Sequence, residues 1–178
     1  EIDSLFFLSE NFVLTFAASY IDSTYNDFKN GPCDRTFVPP ASDDCPIVNG
    51  GPARVKDFTG RTPSGVPELA VTVSGTYTFN LTENMTGYIR GEYVYEDEYQ
   101  ATDAVPVEVP GAIRKVGTLN ASLGVKDSAS GFSLMLWGRN INDDEFIYTG
   151  FNVPGSPGSY AGYPVVPKMW GLTLSREF

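Results

Sequence analysis

The chain has 178 residues, a formal net charge of −10 and no histidine, with 42% hydrophobic and 19% charged residues. The acidic balance excludes phosphate-backbone recognition, so no nucleic-acid partner is expected; the missing histidine removes His-based triads, general bases and metal ligands. No apolar run reaches the roughly 18 residues a transmembrane helix needs, whereas 18 Gly, 13 Pro, 10 Tyr and 12 Phe favour strands and turns.

The chain opens at Glu1-Ile2-Asp3 inside strand-like residues with no signal peptide ahead of them, so a fragment or processed product is expected. Residues 1–7 read as a strand and Leu8-Ser9-Glu10-Asn11 as a short turn. From Phe12 the period is two: Phe12, Leu14, Phe16, Ala18 and Tyr20 on one face, Val13, Thr15, Ala17 and Ser19 on the other. This strand is expected to fade near Phe28.

A long loop over 29–66 follows, of a length that points to a functional surface loop. It holds Cys33 and Cys45, with Pro39-Pro40 and three Asp between them. A disulfide is the favoured reading, and it implies an oxidising compartment; two buried free thiols are the alternative. Such a bridge contributes about 3 kcal/mol in the entropic model. It would act on the shape of the loop more than on the stability of the strands.

Residues 68–81 alternate most cleanly. Leu69, Val71, Val73, Gly75, Tyr77, Phe79 and Leu81 oppose Ala70, Thr72, Ser74, Thr76, Thr78 and Asn80. A second short turn, Leu81-Thr82-Glu83-Asn84, nearly repeats the first. Beyond it Met85, Ile89, Tyr93 and Tyr95 face one way and Thr86, Arg90, Glu92 and Glu96 the other. A medium loop over 100–112 leads to a strand at 113–126, a short turn at 127–131, and a strand predicted to run from Phe132 to about Tyr148. A Gly/Pro-rich loop over 149–166 precedes the last strand, in which Trp170, Leu172, Leu174 and Phe178 share a face with Arg176 as the exception.

The predicted connections alternate between short and longer, and all the short ones fall at one end. Transmembrane barrels have this asymmetry, with short periplasmic turns, longer extracellular loops and aromatic girdles. Here Phe12 and Phe79 stand near the short-turn end of the apolar face, Tyr20, Tyr93 and Tyr95 near the other, and the opposite face is mostly Thr, Ser, Asn and Gly. The fold class expected is all-β: an antiparallel meander of about six to seven strands, part of a transmembrane β-barrel.

Arg139-Asn140-Ile141-Asn142-Asp143-Asp144, then Phe146 and Tyr148, a Gly/Pro loop, Pro167-Lys168 and a strand ending in Phe resemble the carboxy-terminal end of a TonB-dependent outer-membrane receptor. Asp57-Phe58-Thr59-Gly60-Arg61 with Pro67, and the strand from Arg90 to Tyr99, are similar to paired barrel segments of that family. The resemblance covers nearly the whole chain, although Asn140-Ile141-Asn142-Asp143 and Pro167-Lys168 match the family pattern inexactly. It implies a barrel of about 22 strands around a plug, of which residues 1–178 would be a carboxy-terminal segment without the plug. The implied function is TonB-energised uptake of a scarce nutrient (siderophore, cobalamin or oligosaccharide) across the outer membrane of a Gram-negative bacterium. The implied partners are outer-membrane lipid, a small-molecule nutrient, and TonB through the amino-terminal part.

Candidate ligand contacts are Arg90, Glu92 and Glu96 on the polar face of one strand, which could equally be a cross-strand charge ladder. Trp137 and Arg139 share that face by parity and could stack on a sugar or cation, or simply line a wall. Asn140, Asn142, Asp143, Asp144 and Glu145 are rich in oxygen but lack the calcium-loop spacing and glycine. No cofactor, metal or catalytic constellation is expected, and carboxylate pairs such as Glu96 with Glu98 lack a supporting motif. The alternative from another class is a soluble secreted β-sandwich acting as a binding or adhesion module, its apolar face hidden in a core.

Overall fold

The computed structural model describes residues 1–32, 55–156 and 158–177. Cys33, Cys45 and Phe178 lie outside the described residues, and with them the predicted disulfide and the terminal aromatic. The strands are β1 (Ile2–Ser9), β2 (Phe12–Tyr20), β3 (Gly31–Pro32), β4 (Val55–Lys56), β5 (Leu69–Asn80), β6 (Met85–Gln100), β7 (Ile113–Asp127), β8 (Phe132–Arg139), β9 (Ile147–Asn152), β10 (Tyr160–Pro164) and β11 (Met169–Arg176). Seven of them form one antiparallel sheet in the order β1-β2-β5-β6-β7-β8-β11. The pairs β3–β4 and β9–β10 make two small two-stranded sheets within the longer connections. The expected meander is therefore present, as an open sheet.

Period-two sorting survives across six of the seven strands, β2 to β11, because direct cross-strand partners share a face. One row runs Phe12, Tyr77, Ile89, Leu123, Leu136 and Leu172 across six strands. Another runs Val13, Thr76, Arg90, Ser122, Trp137 and Gly171 on the opposite face. Strand β1 departs from this order, since Leu5 and Phe7 stand opposite Thr15 and Val13 on the polar face.

The apolar row is not covered by any second layer of the described residues. Ile89 is 52% exposed, Leu136 46% and Leu172 67%. Leaving one such side chain in water forgoes about 1.5–3 kcal/mol, and a β-sandwich would bury the row between two sheets. What core exists lies among the longer connections and the strand ends next to them: Phe58, Tyr99, Val105, Ala112 and Val116 are the buried apolar residues described.

The three short connections all sit at one end, between β1 and β2, β5 and β6, and β7 and β8. The near-repeated words make different turns. Ser9-Glu10-Asn11 is tightened by the Asn11 amide donating to Ser9 Oγ at 3.2 Å. Leu81 to Asn84 is held by the Met85 amide donating to Thr82 Oγ1 at 3.1 Å. In the third, Asp127 accepts from the Ala129 amide at 3.0 Å and the Ser130 hydroxyl at 2.6 Å. The Ser130 hydroxyl, then the Ala129 amide, hold the Asp127 carboxyl below its usual range.

Gly131 closes this turn with φ 73°, and a Cβ there would collide with the Glu177 carbonyl oxygen. Gly131→Ala should therefore cost about 1–3 kcal/mol, left-handed backbone strain plus displacement of the end of β11. A urea titration of the folded protein checks this; an unchanged midpoint would refute it.

Three expected boundaries are corrected. Strand β2 ends at Tyr20, not near Phe28; beyond it Tyr25, Phe28 and Phe58 pack edge to face, with ring centroids 4.8 and 5.5 Å apart. The strand predicted over 132–148 stops at Arg139, because Asn140 and Asp143 adopt φ 49° and 57°. Short polar side chains tolerate this left-handed backbone, which turns the chain out of the extended conformation a strand needs. The stretch 149–166, read as loop, contains most of the β9–β10 hairpin.

Candidate functional site

The five candidate residues stand on the polar face, in three separate groups of contacts. Arg90 Nη2 donates to Glu92 Oε2 at 2.9 Å, and its Nη1 donates to Thr76 Oγ1 on β5 at 3.4 Å. Asn120 Nδ2 on β7 donates to Glu92 Oε1 at 3.2 Å, while Asn120 Oδ1 accepts from the Asn140 amide at 3.0 Å. A hydrogen-bonded line thus crosses three strands and reaches the turn after β8. Half exposed, these groups keep much of their hydration, so the ion pair itself contributes little to stability.

Glu96 does not join that line. Its Oε2 accepts from Arg114 Nη2 at 2.7 Å and from the Tyr99 hydroxyl at 2.7 Å. A register shift between Glu96 and Tyr99 turns Tyr99 onto this face. The Arg114 guanidinium then lies over three rings, 5.3 Å from Tyr99, 5.1 Å from Phe146 and 4.8 Å from Tyr148. Its side chain is 13% exposed and that of Glu96 23%. This cage ties β6 and β7 to the segment that follows β8.

Sequence reasoning missed Arg114, Tyr99, Phe146 and Tyr148 as a unit. The one available signal was Ile113-Arg114-Lys115, which places one cation on each face of a strand. Register decides which cation meets Glu96, since Glu96 stands opposite Val116 and Arg114 shares the face of Val116; the bulge only adds Tyr99 to that face.

Trp137 and Arg139 come together as parity implies, with the guanidinium 5.4 Å from the ring. The indole Nε1 donates to Thr173 Oγ1 at 3.1 Å, and the ring packs where a Cβ of Gly171 would stand. Gly171 lies beneath the ring and Arg139 over it, so its position is fixed by structure and stacking on a ligand would require Arg139 to leave. Arg139 remains exposed above it.

The oxygen-rich stretch after β8 is engaged in structure. The Leu119 amide donates to Asn142 Oδ1 at 2.8 Å, Asn142 Nδ2 donates to the Gly117 carbonyl at 2.6 Å, and the Gly117 amide donates to Asp144 Oδ2 at 2.7 Å. Side chains thereby continue the ladder along the edge of β7 where β8 has turned away. Lys168 Nζ donates to Asp143 Oδ2 at 3.2 Å and holds that carboxyl below its usual range. Among the described residues no three His, Cys, Asp or Glu side chains cluster as metal ligands.

Two of the hollows lie on opposite faces of the sheet. One of about 580 Å³ opens on the polar face near the short turns, lined by Thr76, Thr86, Thr173 and Ser175 together with Tyr88, Lys126 and Met135. These residues span β5 to β11, four strand spacings or about 19 Å in a flat sheet, so the sheet curls with its polar face inward. The other, about 850 Å³, lies on the apolar face between Tyr93, Tyr95 and the segment 143–147. Chemically, the polar concavity offers hydroxyls and charges of both signs to a hydrated solute, while the convex face offers hydrocarbon. Compared with family models, with curated proteins and with solved structures, the chain finds no match in any of the three, so its function is read from its own residues.

Proposed function

We propose that this chain forms carboxy-terminal barrel strands of a TonB-dependent outer-membrane receptor, which takes up a scarce nutrient such as a siderophore, cobalamin or an oligosaccharide. The observation that carries the reading is the sorting of the curled sheet from β2 to β11: hydroxyls and charges inside, an exposed apolar row outside. Hydrocarbon is the solvent that such an outer face favours, and a water-filled lumen suits the inner one. Strands β5, β6 and β7 have 12, 16 and 15 residues, against the 9–11, roughly, that cross a bilayer at a barrel's tilt.

In this reading the short turns are periplasmic and the connections 21–68, 101–112 and 140–168 are extracellular. Arg90, Glu92 and Arg139 are the wall residues open to a passing solute. Glu96 is committed to Arg114, and Trp137 serves to position Arg139. Coupling to TonB in such receptors runs through a plug, which these strands would surround.

Fractionation of cells that make the protein tests the proposal. Recovery with the outer membrane, released only by detergent, is expected; recovery in a soluble fraction would end it and return the secreted-module alternative.

A further inference from the structure

We propose that the hollow on the apolar face is a binding site for an amphiphilic ammonium ion, separate from the nutrient path on the polar face. It has a volume of about 850 Å³, enough for a chain-bearing ligand. Its apolar lining comes from Tyr93 and Tyr95 on β6, Ile113 on β7, and Phe146, Ile147 and Val165 from the segment after β8. A hydrocarbon body fits these surfaces.

The sign of the headgroup follows from the rim. Asp143, Asp144 and Glu145 stand on it against one cation, Lys115. Asp143 is compensated by Lys168 and Asp144 holds the Gly117 amide. Glu145 and Lys115 are exposed and enter none of the ion pairs among the described residues. The rim therefore remains net negative, on a chain whose overall charge of −10 adds attraction for a cation at low salt. The tyrosine rings offer an ammonium group a further favourable face. An anionic headgroup would meet three carboxylates against two lysines, Lys115 and the Lys168 that holds Asp143.

The test uses fluorescence quenching with an internal control. The two native tryptophans are Trp137 and Trp170. Trp170 stands on the apolar face of β11, outside the hollow. Two proteins are compared in lipid vesicles: Trp137→Phe, which reports from Trp170, and Trp137→Phe with Trp170→Phe and Tyr95→Trp, which reports from the hollow. The probes are a single-chain alkyltrimethylammonium nitroxide and an alkyl sulfate nitroxide. Partition into lipid quenches both reporters alike, whereas occupancy quenches position 95 selectively. At least threefold stronger quenching at 95 is expected, with the ammonium probe only, falling to parity with Glu145→Gln. Equal quenching at both positions, equal response to both probes, or an unchanged Glu145→Gln protein would overturn the site. Tyr93→Trp replaces the reporter if Tyr95→Trp fails to fold. The same comparison runs in buffer if fractionation finds the protein soluble, so failure of the site is separable from failure of the membrane proposal.

Discussion

Replacing Asn140 with valine should destabilise the fold by about 4–6 kcal/mol, the largest single effect outside the strands. Asn140 is 3% exposed and sits at φ 49°. Its Nδ2 donates to the carbonyls of Asp144 at 2.9 Å and Val166 at 3.1 Å, and its Oδ1 accepts from the Asp144 amide at 2.8 Å. Three net hydrogen bonds contribute about 1 kcal/mol each, and their buried partners would be stranded. A β-branched residue in left-handed backbone adds about 1–2 kcal/mol. Asn140→Gly separates these terms: it keeps the backbone and loses only the side-chain bonds, so it should cost about 3 kcal/mol. Urea unfolding of the two variants reads both values. Equal losses would show that backbone strain contributes nothing.

Arg114→Ala should cost about 2–4 kcal/mol. It leaves the Glu96 carboxylate with the Tyr99 hydroxyl alone in a partly buried site, and stranding one partner of a desolvated pair is more costly than the pair is worth. It also removes the plate that three rings share. Arg114→Lys keeps the charge but not the planar fork, and should recover less than half of the loss. A double-mutant cycle with Glu96→Gln should show coupling above about 1 kcal/mol; additivity would mean that the cage is held by the rings alone.

Much of the meander was legible because strand alternation is local. Leu69 to Asn80 announces its face without reference to any neighbour, and so does Phe12 to Tyr20. The limits appeared where long-range pairing decides. Nothing in the run Phe132 to Tyr148 says that Asn140 will turn left-handed, because the turn is stabilised by Val166 and Asn120, distant in sequence. The same holds for Glu96, which reads as a companion of Arg90 and Glu92 along one strand. The bulge before Tyr99 and the approach of Arg114 assign it elsewhere. Asn142 and Asp144 looked like free oxygens because side chains that imitate a strand's backbone leave no period in the sequence.

The directions of the strands carry a rule of counting. Each hairpin reverses the chain, so along the order β1-β2-β5-β6-β7-β8-β11 the first and the seventh strand point the same way. Bringing these two edges together directly would make a parallel seam in an otherwise antiparallel sheet. A ring that keeps every neighbour antiparallel has an even number of staves. Whatever polypeptide completes such a ring with these seven must therefore supply an odd number of strands, and its two outermost strands must both run opposite to β1 and β11.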